Sequence, residues 1–104
     1  MKTIYKYQFE TADIVTLKLP TCAKVLTIQI QNDKPCLWAL VDTENERTFD
    51  MELSIFGTGH EVKNLELSTY IGTYQERNGG LVWHVFEHYG SKLWWDADET
   101  KPRP

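Results

Sequence analysis

Arg47-Thr48-Phe49-Asp50-Met51-Glu52-Leu53-Ser54-Ile55-Phe56 places Phe49, Met51, Leu53 and Ile55 on one side of a chain of period two, with Thr48, Asp50, Glu52 and Ser54 on the other. That period belongs to a strand with one face buried. At 3.6 residues per turn the same apolar positions would be scattered around a helix. A half-buried strand is therefore the reading that fixes the fold class.

The flanking segments repeat the pattern. Upstream, Lys24 to Gln31 carries Leu26, Ile28 and Ile30 on one face, and Asn32-Asp33-Lys34-Pro35 has the turn residues to reverse the chain. Cys36-Leu37-Trp38-Ala39-Leu40-Val41 is apolar on both faces, as expected of a central strand. Nearer the start, Thr3, Tyr5, Tyr7 and Phe9 share one face, and Ile4, Lys6 and Gln8 the other. After the polar break 10–13, Val15, Leu17 and Leu19 point inward until Pro20, which lacks a ladder donor, ends the strand. These two segments read as a hairpin.

Downstream, Gly57-Thr58-Gly59-His60 is a turn, Glu61 to Ser68 a polar connection with room for a short helical turn, and Thr69 to Tyr74 a strand. Arg77-Asn78-Gly79-Gly80 is a hairpin loop, because Asn and Gly tolerate positive φ. In Leu81 to Tyr89, Leu81, Trp83 and Val85 alternate with Val82, His84, Phe86 and His88. Seven short, mainly antiparallel strands with turns about every 8 to 14 residues predict an all-β domain. The expected form is a small sandwich or partly open barrel without substantial helix. Residues 1–89 form one domain in this reading, and 90–104 a C-terminal extension, disordered over its last residues.

One core suits 104 residues with 41% apolar and 12% aromatic content. Two cysteines, Cys22 and Cys36, are too few for a secreted disulfide framework. With no charged and apolar leader at the start, the setting reads as cytoplasmic. No apolar run approaches the roughly 20 residues of a spanning helix, so no membrane role is expected. The net charge of −4 argues against nucleic acid as a partner. Residues 1–41 hold five Lys against three acids, whereas 42–66 hold Asp42, Glu44, Glu46, Asp50, Glu52, Glu61 and Glu66 against Arg47 and Lys63.

Nothing assigns catalysis. His84 and His88 share a strand face but lie about 13 Å apart, too far to grip one ion at about 2 Å, and His60 has no third ligand in view. No metal or other cofactor is expected. The residue types of a nucleophilic site occur, but no spacing brings Cys36 or a serine to a histidine. His84 reads as half-buried and satisfied by a backbone carbonyl. Tyr5, Tyr7, Tyr70, Tyr74, Trp83 and Tyr89 fall on alternating positions as core or cross-strand pairs. Trp94-Trp95, set among acids, either pins the extension to the domain or anchors a partner.

The segments Ile28-Gln29-Ile30-Gln31-Asn32, Leu37-Trp38-Ala39-Leu40-Val41-Asp42, Phe56-Gly57-Thr58-Gly59-His60, Tyr70-Ile71-Gly72-Thr73 and Gly79-Gly80-Leu81-Val82-Trp83-His84-Val85-Phe86-Glu87 occur in this order. Together with the opening Met1 to Tyr7 they resemble a family of short, uncharacterised proteins carried mainly by bacteriophages and prophages. The likeness covers about residues 1–89. It implies a phage origin and the host cytoplasm as setting, and it transfers no activity, ligand or catalytic residue.

These readings give a first expectation: an accessory protein of phage type that binds a host protein without catalysis, to blunt a host defence. Its docking residues would be Glu44, Glu46 and Glu52 with Trp94 and Trp95. An alternative is a small-ligand binder that sequesters a nucleotide-like signal, with Gly57, Thr58, Gly59, His60 and His84 forming an anion pocket. A virion structural or assembly role is a third. An exposed edge strand could also pair two copies into a homodimer.

Overall fold

The computed structural model describes residues 1–63, 65 and 68–88. Trp94, Trp95, Glu66, Tyr89 and the proposed extension 90–104 lie outside the described residues. Seven strands follow in order: β1 (Lys2–Gln8), β2 (Ile14–Pro20), β3 (Lys24–Gln31), β4 (Lys34–Asp42), β5 (Thr48–Gly57), β6 (Ser68–Glu76) and β7 (Leu81–His88). They form two antiparallel sheets, β1-β4-β3 and β2-β5-β7-β6, stacked as a sandwich. Among the described residues there is no helix, and so none long and apolar enough to cross a membrane.

The alternating strand β5 lies inside the larger sheet, between β2 and β7. Its Met51, Leu53 and Ile55 face the core with Val85 of β7, while Leu37, Ala39 and Val41 of β4 close it from the other sheet. Leu37, Leu53 and Val85 are fully buried, and each such side chain contributes about 1.5–3 kcal/mol of apolar burial. β4, apolar on both faces, is the central strand of its sheet, as its sequence predicts.

Two turns match their chemistry closely. Asn32 and Asp33, with φ of 52° and 64°, join the Gln31–Lys34 pair in the two-residue loop that such residues favour. Arg77, Asn78 and Gly79 all take positive φ between Glu76 and Leu81.

Three expectations are corrected. β1 and β2 are not a hairpin, because β1 pairs with β4 and β2 with β5. The chain changes sheets in the polar break: the Phe9 N–H still donates to Pro35 O, whereas Asp13 O accepts from Ile55 N–H in the other sheet. Leu26 does not share the face of Ile28 and Ile30. The register shifts between Val25 and Thr27, and this bulge leaves Leu26 42% exposed. Finally, Glu61, Val62, Lys63 and Leu65 form no helical turn.

A second bulge, between Tyr70 and Gly72, has a larger consequence. Tyr70 and Tyr74 have the same parity and would share a face in a regular strand, but the extra residue sends Tyr74 into the core and Tyr70 to the surface. The inner end of this strand carries a hydrogen-bonded group in which Tyr74 OH lies 2.6 Å from Thr11 Oγ1, which also donates to Glu76 Oε2. Trp83 Nε1–H donates to Glu76 Oε1 at 3.0 Å. Burial pushes the Tyr74 phenol above its ordinary pKa, against the opposing Thr11 hydrogen bond, with Glu76 adding a smaller upward push.

Candidate functional site

The outer face of the four-stranded sheet can be read row by row from its register. Ile14 pairs with Ser54, Ser54 with Phe86 and Phe86 with Tyr70; in the adjoining row Phe56 pairs with His84 and His84 with Thr73. The alternation that buries Leu53, Ile55 and Val85 obliges these neighbours to face outward. An aromatic cluster results. Phe86 meets Phe56 edge-on at 6.0 Å between ring centroids and Tyr70 at 5.6 Å, both preferred aromatic geometries. At its margins Tyr70 is 54% exposed and Ile14 56%.

Hydroxyls and imidazoles hold this cluster in place. Thr58 Oγ1 lies 2.7 Å from His84 Nε2, and His84 Nδ1 lies 3.0 Å from Thr73 Oγ1. Thr73 Oγ1 in turn lies 2.6 Å from the Tyr70 hydroxyl. His84 is thus satisfied by threonine hydroxyls from both neighbouring segments, and not by the backbone carbonyl expected from its sequence. In the opposite direction, Ser54 Oγ makes a short hydrogen bond with His88 Nε2. Both ring nitrogens of His84 are thus engaged by hydroxyls, and Nε2 of His88 by a third.

Beside the cluster runs a groove of about 640 Å³ lined by the outer-face residues Ser54, Phe56 and His88, by the core-side Ile55 and Trp83, and by Ile14 and His60, with the charged Asp13, Glu52, Glu61 and Lys63 also along it. Lys63 is offset by Glu61, 3.7 Å away, so the groove margin is acidic on balance. Among the described residues no group of three or more His, Cys, Asp or Glu side chains is placed to hold a metal ion.

The structure separates the expected acidic docking residues. Glu44 and Glu46 sit in the loop between β4 and β5, where Glu44 reaches the N-terminal ammonium at 3.4 Å. Asp42 joins that contact. The Glu44 N–H holds its carboxyl below the ordinary range, helped by the terminal ammonium. Asp50 is paired with Lys18 at 2.9 Å. Glu52 alone of the predicted trio lines the groove.

The Gly57-Thr58-Gly59-His60 segment is a tight turn in which the His60 N–H donates to Gly57 O and Gly59, with φ of 88°, occupies the position that favours glycine. The Thr58 N–H donates to Val82 O at 3.3 Å. Two of the backbone donors that an anion nest would use are therefore engaged within the fold. The His60 ring lies over Gly57, where an added Cβ would come within 2.7 Å of it. The turn brings Thr58 to His84 and directs His60 into the groove, so the five anion-pocket residues divide between two hydrogen-bonded features.

Sequence reasoning missed Ser54, Phe56, Tyr70, Phe86 and His88 as one surface. A signal was present: Phe86 and His88 alternate with the core residue Val85, so they had to point away from the core. The bulge that turns Tyr70 toward them has no such signature.

Residues 1–95 match the profile of a family described as a domain of unknown function, DUF7352. No curated protein and no solved structure matches the chain.

Proposed function

We propose that this chain, which belongs to the DUF7352 family of domains of unknown function, is a non-enzymatic binding module that docks a protein partner on the outer face of its four-stranded sheet. The observation that carries this reading is the Phe56–Phe86–Tyr70 cluster, held by hydroxyl–imidazole bonds and continued to the exposed Ile14. Rigid aromatic rings beside a polar margin are the usual anchors of a protein interface, because they bury large area at little entropic cost. The groove acids Asp13 and Glu52 fit a partner that offers an apolar side chain to the rings and basic groups around it. On the phage-type resemblance, that partner is a host protein and the module is an accessory factor that blunts a host defence.

The test places a photo-crosslinking residue at Ile14 and follows the host proteins captured in cells. Tyr70→Ala combined with Glu52→Lys should lower capture of the same partner by at least about 30-fold, the effect of losing one hot-spot residue. Glu44→Lys combined with Glu46→Lys should leave capture nearly unchanged. The reverse pattern would move the interface to the β4–β5 loop and overturn this reading.

A further inference from the structure

The two sheets have four edges, and three of them carry features that discourage another strand. β2 ends in Pro20, which lacks a ladder donor, β3 is bulged at Val25–Thr27, and β6 is bulged at Tyr70–Gly72. β3 and β6 also pack against each other where the sheets meet. β1 differs. Its pairing with β4 runs without a register shift from Lys2 to Gln8, and among the described strands nothing lies on its other side.

The orientation of its backbone follows from its two ends. The Phe9 N–H donates to Pro35 O, and Met1 O accepts from the Thr43 N–H, so odd-numbered residues direct their polar groups toward β4. In an antiparallel ladder the even-numbered residues then direct theirs outward. Lys2, Ile4, Lys6 and Gln8 present a regular row of donors and acceptors along an open edge. The side chains are equally uncovered. Tyr5 points to the inner face yet is 43% exposed, with Tyr7 as its ring neighbour among the described residues at 6.4 Å, and Ile4 on the outer face is 55% exposed.

We infer that β1 pairs antiparallel with β1 of a second copy, joining two three-stranded sheets into one of six strands. Only registers that oppose even residues with even residues satisfy the outward groups of both chains. Opposing Ile4 with itself sets Lys2 against Lys6, and opposing Lys6 with itself sets two ammonium groups together; like charges directly opposed are destabilising. The register centred on Tyr5 sets Lys2 against Gln8, Ile4 against Lys6 and Thr3 against Tyr7. It overlaps the whole strand, adds about eight ladder bonds, and brings Tyr5 and Tyr7 of both copies into one cluster. This dimer uses the sheet opposite the docking face and does not depend on that function.

The first measurement is the solution mass of the full chain by light scattering across a wide concentration range. A mass rising to twice 12.2 kDa is expected. Ile4→Pro removes an outward donor and leaves the β4 ladder intact, so it should return the mass to that of the monomer with unchanged circular dichroism. The register is read independently in a Cys22→Ser background. Tyr5→Cys places two thiols at a non-hydrogen-bonded pair about 4.5 Å apart between Cα atoms, within disulfide reach, and should crosslink rapidly on mild oxidation. Lys2→Cys lies about 20 Å from its own copy and should not. A monomer at every concentration overturns the inference. So does a dimer that survives Ile4→Pro, crosslinking of Tyr5→Cys no faster than Lys2→Cys, or an edge occupied by a different protein while this chain stays single.

Discussion

The outer faces of the two sheets are built from similar residue types and finished differently. On the three-stranded sheet, Trp38 and Leu40 of β4 are flanked by Lys6 and Ile4 of β1. The Lys6 ammonium crosses β4 to donate to Gln31 Oε1 of β3 at 2.6 Å. The register puts this strap over Cys36, which is fully buried although it belongs to the outer face. On the four-stranded sheet the hydroxyls and imidazoles bond edgewise around Phe86, Phe56 and Tyr70 and leave the rings uncovered at their margin. A long amphipathic side chain can turn an apolar face into a solvated one. Where short polar groups brace the rings instead, the face remains suited to a partner. Substitutions that act on one face, or on the core between them, test that distinction.

The largest effect is expected where both sheets share the core. Leu53→Ala should cost about 2–5 kcal/mol, because neighbouring strands restrict collapse into the cavity; urea unfolding measures it. Next comes Phe86→Ala, which removes two aromatic contacts and should cost about 1–3 kcal/mol while abolishing partner capture. If Leu53→Ala and Phe86→Ala cost the same, the outer cluster is a second core and the contrast between the faces fails.

Tyr74→Phe tests the end of the core and should cost about 1 kcal/mol, the worth of the hydrogen bond to Thr11. Its pH dependence has a definite sign. The folded-state pKa of Tyr74 is raised above 10.0 by burial, so its contribution is complete below pH 10 and is lost as pH rises through the raised value. Alkaline solution should therefore narrow the stability gap between the native chain and Tyr74→Phe. A gap that widens above pH 10 would show that the phenol ionises more readily when folded.

The core strands were legible because period-two alternation reports burial directly. Met51, Leu53 and Ile55 declare an inner face, and the two-sided apolar run 36–41 declares a central strand. Asn32-Asp33 and Arg77-Asn78-Gly79-Gly80 declare their turns through residues that accept positive φ. Pairing across the sandwich was not legible. The polar break 10–13 looks the same whether the chain turns back on itself or crosses to the other sheet, and the hydrogen bonds that decide it come from Pro35 and Ile55, far away in sequence. Bulges hid the surface cluster for a similar reason: a one-residue shift reverses every later side chain, as at Leu26 and Tyr70, and leaves no mark in local composition.

Lys6→Ala isolates the strap and should have the smallest thermodynamic effect. Lys6 and Gln31 are joined by one exposed hydrogen bond, and exposed polar contacts of long side chains are worth only about 0–1 kcal/mol after the entropy of ordering them. The informative readout is chemical. In a Cys22→Ser background the native chain should react slowly with a thiol reagent, because Cys36 is fully buried and its Sγ–H donates to Lys34 O. Removing the lysine stem uncovers the sulfur and should raise the labelling rate several-fold while the unfolding midpoint barely moves. Since labelling through global opening would track stability, a rate that rises at constant stability locates the protection in the strap. An unchanged rate would assign the burial of Cys36 to the sheet itself, and the solvated character of this face would then owe nothing to Lys6.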